Sequence, residues 1–458
     1  MRKSNVLILL SILALGVLAA AQSDVALTIY NNNLGLVKDV RNLPLLKGTG
    51  TLDFDDVASQ IDATSVNFRC LDDDNVEVLE QNYLYDLVST DALLKRYLGL
   101  DIEMFGENQA HYKGKLLSYD GNNVILQGDD GQVLMVSLKK VVDYKFPSLP
   151  DGLILKPTLR WEIESPSAGK KRCEVSYLTS GISWNADYVA VVNDNDTELN
   201  LSGWVTINNQ SGAAYNDARL KLVAGDIHQV TSTPPVLGIP VRDMLAKGPA
   251  PQFEEESFFE YHLYSLTRPA TIHDKEIKQL TLFPSTEAKV KKIYVFDSQN
   301  TYYRSDNNQN KIKVNLEFKN SKADGLGMPL PKGKIRVYKE DSQKALQFIG
   351  EDMIDHTPKD EEVRVYIGDA FDIVGERQQT NVEDLGKGKR RETYEITLKN
   401  HKDEPVTVTI IEHPQGWREW QIRSSSLEYH KIDNYKVEFD VDIKANSEET
   451  LAYTIQYF

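Results

Sequence analysis

The chain has 458 residues, enough for about three domains of roughly 150 residues each. Its 52 Lys and Arg against 68 Asp and Glu give a net charge of −16. That balance argues against nucleic acid, whose phosphates are held chiefly by Lys and Arg, and against adhesion to anionic lipid. At 41% apolar and 26% charged residues, the composition is globular rather than disordered or membrane-embedded.

The chain starts as an exported protein would. Arg2 and Lys3 precede an apolar run from Val6 to Leu18, broken only by Ser11, and then Ala19-Ala20-Ala21. A basic start, a short apolar stretch and small residues at −3 and −1 form a secretion signal over residues 1–21. As a helix the apolar run would span only ~20 Å, short of the ~30 Å membrane core. No Cys follows to accept a lipid. Cleavage leaves 437 residues from Gln22, with a net charge of −18. The expected location is periplasmic, cell-envelope or extracellular, with no transmembrane span after cleavage.

Period-two alternation then dominates, as half-buried strands require. Residues 22–82 form an N-terminal β region, beginning with Val25–Tyr30. A helix is expected at Asp91–Leu98, capped by Ser89 or Thr90 and ended by Gly99. It opens a module over 83–145 with short strands Asp101–Phe105, Tyr112–Tyr119, Val124–Gln127 and Val133–Val141. The turns Asp120-Gly121-Asn122-Asn123 and Gly128-Asp129-Asp130-Gly131 supply residues that tolerate positive φ. A short helix leading into Tyr112–Asp120 resembles the Sm-like or SH3-like small barrels, and the likeness carries over a barrel and no binding residue.

Residues 146–228 are expected to complete the N-terminal β domain around this insertion, with Val25–Phe68 touching Arg172–Leu222. Five prolines and Glu254-Glu255-Glu256 make 229–257 an extended linker or long surface loop. A C-terminal β-sandwich follows over 258–458. Its strands are Lys313–Phe318, Lys334–Tyr338, Glu362–Ile367, Tyr394–Leu398, Val406–Ile411, Lys436–Val441 and Leu451–Tyr457. A second loop, Glu376–Arg391, carries Lys387, Lys389, Arg390 and Arg391. The fold class is therefore mainly β: two antiparallel sandwich-like domains plus the inserted small barrel.

No catalytic signature stands out. There is no Gly-x-Ser-x-Gly elbow, His-Glu-x-x-His pair or phosphate-cradling loop. Ser167 and Lys170 have Ser-x-x-Lys spacing, but Gly169 beside Pro166 does not offer the helix that chemistry needs. Asp194-Asn195-Asp196 has Leu199 where a Ca²⁺ loop needs Gly. Asp72-Asp73-Asp74 reads as a turn. The eight His residues are scattered, and a zinc site from Asp226, His228, His262 and His273 requires both ends of the 229–257 segment to converge. No catalytic residue, cofactor or metal is assigned.

Cys70 and Cys173 each share a strand face with apolar neighbours and point inward. Whether they pair depends on a distance the sequence does not supply. If their segment is a strand, Trp417 and Trp420, three apart, fall on opposite faces and one is left for stacking on a sugar or partner; packing under a loop is the alternative. The terminal Phe458 suggests an outer-membrane barrel, but Gln456, Thr454 and Ala452 share its phase where lipid-facing residues would stand.

Three segments together resemble the exported bacterial domain-of-unknown-function 4139 family, which includes the mucoidy-inhibitor-A-like proteins. The first is Tyr177–Tyr188 with Trp204–Gly212. The second is Phe259–Tyr264 through Arg268-Pro269 to Leu280. The third is Asn320-Ser321, then Gly325-Leu326-Gly327-Met328-Pro329-Leu330-Pro331 and Gly333–Tyr338. The resemblance implies an exported β-rich protein and brings no reaction with it. Mucoidy-inhibitor-like members usually place a coiled coil ahead of the shared domain, where this chain has the small module.

The reading is a non-enzymatic cell-envelope or periplasmic protein that binds or scaffolds an envelope protein or glycan. Trp417, Trp420, Tyr261, His262 and Tyr264 are its candidate binding surface. The alternatives are a hydrolase acting on envelope glycans or peptides and an oligomerising assembly module.

Overall fold

The computed structural model describes residues 24–150, 152–225, 252–258, 261–298 and 311–458. The expected signal peptide lies outside them, as do residues 229–251 of the expected linker, Asp226 and His228. Within the described residues, alternation in sequence becomes alternation in burial: along Ile182–Val192 every second side chain is buried. The result is a mainly β molecule of five sheets.

An eight-stranded sheet runs in the order Phe253–Phe258, Tyr261–Leu266, Tyr215–Ala224, Asp24–Tyr30, Leu34–Leu45, Gly169–Thr179 and Asn67–Cys70, with Ala270–Ile272 branching from Tyr215–Ala224. The contact expected between Val25–Phe68 and Arg172–Leu222 is present: Ala26 pairs with Arg219, and Val40 with Glu174. A three-stranded sheet holds Gly48–Asp55, Thr158–Ser165 and Glu77–Leu84. A five-stranded sheet orders Glu276–Lys289, Glu198–Asn209, Ile182–Val192, Gly333–Glu340 and Leu346–Ile354. These three sheets bury one continuous core, with Trp161, Trp184 and Tyr188 its largest fully buried side chains. Residues from either side of the 229–257 segment share it.

The nine-stranded sheet forms a second core. Its order is Trp420–Ser425, Ser447–Tyr457, Lys389–Asn400, Glu362–Gly386, Lys311–Lys319, Lys291–Asp297, Val406–Glu412, Val437–Ile443 and His430–Lys431. Strand Lys311–Lys319 serves both cores: Ile312 faces the second, Leu316 and Phe318 the first. Asp196, at positive φ in the turn after Ile182–Val192, fastens the sheets by pairing with both Lys292 and Lys339. It is a structural clamp on a polar turn.

Among the described residues most strand-to-strand pairings are antiparallel, but three are parallel: Asp24–Tyr30 with Tyr215–Ala224, Ile182–Val192 with Gly333–Glu340, and Lys291–Asp297 with Val406–Glu412. Each joins strands far apart in sequence, which local alternation does not encode.

The helix of the inserted module spans Thr90–Arg96. Ser89 Oγ accepts from Ala92 N at 3.0 Å, and Leu94 is fully buried. Five strands follow in the order Val141–Lys145, Asp101–Gly106, His111–Tyr119, Asn123–Gln127 and Val133–Ser137, around Ile102, Met104, Leu116, Val124 and Leu126. The two outer strands do not pair, so the sheet is not closed into a barrel by hydrogen bonds. The run Val133–Val141, expected as one strand, is two. Leu138 packs on the module core, its N–H bonds Asn122 O at 2.8 Å, and a 3₁₀ turn at Leu138–Lys140 redirects the chain. The module leaves and rejoins its host at Leu84 and Thr158, which are register partners.

Two polar stretches expected as loops are strands. Glu376–Arg391 is the tip of a long hairpin: Glu362–Gly386 returns as Lys389–Asn400 through Lys387-Gly388, both at positive φ. That is the two-residue turn whose twist matches the strands, so polarity here marks exposure rather than irregularity. Glu254-Glu255-Glu256 likewise sits on Phe253–Phe258, hydrogen-bonded to Tyr261–Leu266. Among the described residues no helix is long and apolar enough to cross a membrane.

Candidate functional site

One end of the nine-stranded sheet gathers aromatic and basic side chains from three separate stretches of chain. The first is the hairpin tip, with Lys389 and Arg390. The second is the turn His413–Glu419, in which Arg418 N bonds Gln415 O at 2.9 Å. Gly416 lets this turn pass against Tyr435, since a Cβ there would come within 2.3 Å of the tyrosine ring. The third is the C-terminus, where Phe458 N bonds Glu419 O at 2.9 Å. Arg418 joins the first two, donating from Nη1 to Gly388 O at 3.0 Å.

Trp417 stands on this platform 70% exposed, with the Arg418 guanidinium 4.6 Å from its ring centroid. Lys389 and Arg423 lie 5.3 and 5.4 Å from the centroid of Phe458, and Arg390 5.4 Å from that of Tyr457. Trp420 is buried: its Nε1 donates to Asn434 O at 2.8 Å, and Lys431 Nζ lies 4.2 Å from its ring centroid. The two indoles are thus split between solvent and core. Glu392 neutralises Arg390 across 2.7 Å. Such stacking contributes about 0.5–1 kcal/mol at exposed sites.

A recess lies beneath, lined by Arg377, Tyr394, Glu412, His413, Pro414, Ile422, Val437, Phe439, Tyr453, Ile455 and Tyr457. It encompasses 340 Å³ counted out to its mouth, but its side chains leave free room for about one water molecule. Arg377 grips Glu412 with Nε on Oε1 and Nη2 on Oε2, both at 2.9 Å. The Arg377 guanidinium also lies 3.9 Å from the centroid of Tyr394. Tyr453 donates its hydroxyl to Glu412, and Tyr394 donates to Glu392 at 2.7 Å. Burial works against the Arg377 charge, but the hydrogen bonds and charge of Glu412 outweigh it and hold the guanidinium above its ordinary range. Burial, followed by the Glu412 charge, pushes the Tyr453 phenol well above 10. With both oxygens engaged, Glu412 is a structural ion rather than a carboxylate poised for proton transfer. His413 Nε2 lies 2.9 Å from Asp297 Oδ1.

The remaining residues singled out in the sequence lie on the eight-stranded sheet, against the other core. Tyr264 is buried, and its hydroxyl donates to Pro329 O at 3.1 Å. Its ring lies 6.2 Å from Trp184, and Tyr188 donates to Pro331 O at 2.6 Å. The three sequence segments that resemble one family therefore meet at Gly325–Pro331, and Tyr264 is part of that joint. His262 faces Glu255, Nδ1 to Oε1 at 2.7 Å, and Tyr261 is half-buried. None of Tyr261, His262 and Tyr264 is brought to Trp417. Among the described residues no group of three His, Cys, Asp or Glu side chains is arranged to hold a metal. Asp73 pairs with Lys171, Nζ to Oδ2 at 2.6 Å, and Asp72 accepts from Arg172 N at 2.7 Å.

The Arg377–Glu412 pair was not visible in the sequence, because the partners stand on different strands of the sheet. The meeting of the basic hairpin tip with the Trp417 turn was hidden for the same reason. The only local hint was Arg418 beside Trp417. The family model described as "Domain of unknown function (DUF4139)" matches residues 173–457, which include this end of the sheet and the Gly325–Pro331 joint. No curated protein matches the chain.

Proposed function

Because the chain belongs to the DUF4139 family, whose description leaves its role open, we propose a role from its own geometry: an exported, non-enzymatic cell-envelope or periplasmic protein that binds or scaffolds an acidic partner through the Trp417 end of the nine-stranded sheet. The observation that carries this reading is Trp417, 70% exposed and stacked by Arg418, on a turn bonded to the basic hairpin tip. An exposed indole face stacks on a sugar ring, and guanidinium groups match carboxylates in geometry and charge. The partner class is an envelope glycan bearing uronic acids. The pattern of residues 1–21 supports export.

Titrating the full mature chain with a uronic-acid oligomer, followed by tryptophan fluorescence, tests the reading. Saturable quenching that weakens with salt and is lost in Trp417→Ala is expected, with no response to a neutral glucan of equal length. Equal response to both, or an unchanged Trp417→Ala titration, overturns it. Protein recovered from the periplasm should begin at Gln22. A hydrolase reading finds no support at Glu412, whose oxygens are committed to Arg377 and Tyr453; release of reducing ends from the oligomer by the purified chain would favour it.

A further inference from the structure

Strand Asn67–Cys70 is the outermost of the eight-stranded sheet and pairs with Gly169–Thr179 over only four residues, with Cys70 opposite Cys173. The next pair along, Leu71 and Arg172, is hydrogen-bonded, Leu71 N to Arg172 O at 2.8 Å. Bonded and non-bonded pairs alternate along an antiparallel ladder, so Cys70 and Cys173 form a non-hydrogen-bonded pair. Such pairs bring their Cα atoms to about 4.5 Å and their side chains onto one face. A disulfide accepts Cα separations of about 4.4–6.8 Å. Cys173 Sγ lies 3.6 Å from Lys171 O. Both cysteines are buried free thiols in this structure.

We propose that Cys70 and Cys173 are a site of oxidative modification, closed into a cross-strand disulfide by a disulfide oxidant as the chain folds in an oxidising compartment. The Cys70 thiolate attacks one sulfur of the oxidant and expels the other as a thiolate. The Cys173 thiolate then attacks the Cys70 sulfur of the mixed disulfide and expels the second oxidant thiolate. One S–S bond breaks in the oxidant and one forms in the chain. Two electrons pass to the oxidant, and the two thiol protons end on its leaving thiolates.

The order of attack follows from placement. Cys70 lies on a short outer strand paired on one side only, whereas Cys173 is flanked on both sides by paired strands. Burial, then the neighbouring Cys70, pushes the Cys173 thiol up to about 12, so little of it is thiolate until the strand lifts. Asp72 adds to that rise and Lys171 opposes it. Once folded, the bond is shielded from small thiols. It pins the outer strand, an edge otherwise held by four residues, and closes a loop that contains the whole helix-bearing module. The inference makes no use of the Trp417 surface, but it rests on the export proposed above; the refolding test below does not.

The full chain, reduced in urea, is refolded in glutathione disulfide with a trace of glutathione, alkylated in denaturant and weighed. The expected product takes up no alkyl group, weighs about 2 Da less than the reduced chain and yields a peptide joining Cys70 to Cys173. Its Tm exceeds that of the reduced chain by about 5 °C, a difference that Cys70→Ser lacks. Two alkylated cysteines, or glutathione retained on either, overturns the proposal. Should Cys70→Ser fail to fold, the wild-type masses with and without reductant still decide.

Discussion

The core shared by three sheets and the core of the nine-stranded sheet answer their buried tyrosines differently. In the first, Tyr188 and Tyr264 donate to the carbonyls of Pro331 and Pro329, and Tyr215 shares a hydrogen bond with Ser211 at 2.9 Å. The first core also carries ion pairs, Lys171 with Asp73 and Arg41 with the buried Asp39, but the partners of these tyrosines are neutral, and their work is to hold loops against strands. In the second, Tyr453 and Tyr394 donate to the carboxylates of Glu412 and Glu392, and Arg377 completes the set. Neutral bonds to backbone fail one at a time. A buried ionic set fails together, because each missing partner strands a charge. The demanding set lies beneath the exposed aromatic and basic surface.

Removing one ion is the strongest attempt to break this contrast. Glu412→Ala should cost about 3–5 kcal/mol in urea unfolding, since it leaves Arg377 buried and unpaired. The double change Arg377→Met with Glu412→Leu should restore most of that loss. A single-substitution cost under about 1 kcal/mol would show that water replaces the carboxylate and would erase the difference between the cores.

Alkaline unfolding sharpens the comparison by finding where the cores agree. Burial is the first cause of raised phenols in both, at Tyr188 and Tyr264 as at Tyr394 and Tyr453. Tyr215 is raised to about 12. The unfolded chain releases these protons near pH 10 while the folded chain keeps them, so the contribution is full below 10 and declines above it. Each such phenol should cost about 1.4 kcal/mol for every pH unit between its unfolded and folded values. Tyr188→Phe and Tyr453→Phe should flatten the Tm-against-pH curve above pH 10 by equal amounts. A larger effect in one would mean that partner charge outweighs burial there.

Smaller effects follow. At neutral pH, Tyr188→Phe should cost about 1 kcal/mol, one neutral hydrogen bond to a carbonyl, as read by urea unfolding. Trp417→Ala should change stability by less than about 0.5 kcal/mol even as it abolishes the fluorescence response to a uronic-acid oligomer. A loss of more than 1 kcal/mol there would make Trp417 a packing residue and remove the main support for the binding surface.

Local physics was legible in the sequence. Val25–Tyr30, Val406–Ile411 and Leu451–Tyr457 alternate and are strands within a few residues. Ser89 caps the helix as its side chain allows. Composition misled where exposed strands are polar on both faces, as in the hairpin tip Glu376–Arg391 and the acidic Phe253–Phe258. Partnership between distant strands was not legible. Trp417 stood out as an aromatic, and Lys387, Lys389, Arg390 and Arg391 as a charge cluster, but their neighbourhood is set by the pairing of Lys389–Asn400 with Ser447–Tyr457. Tyr264 attracted notice beside His262, and its burial against Pro329 depends on a loop some sixty residues away, a separation that period-two alternation does not reach.

The facing of Leu84 and Thr158 has a consequence for how the chain tolerates change. To the three-stranded sheet, everything between those two residues is a hairpin loop, closed by strands that pair wherever the intervening chain wanders. Closure entropy grows only with the logarithm of loop length, about 0.6 kcal/mol per doubling. Residues 85–157 are therefore nearly free of thermodynamic obligation to their host. By this arithmetic that passage can lengthen or shrink at little cost while the Leu84–Thr158 pairing stays where it is.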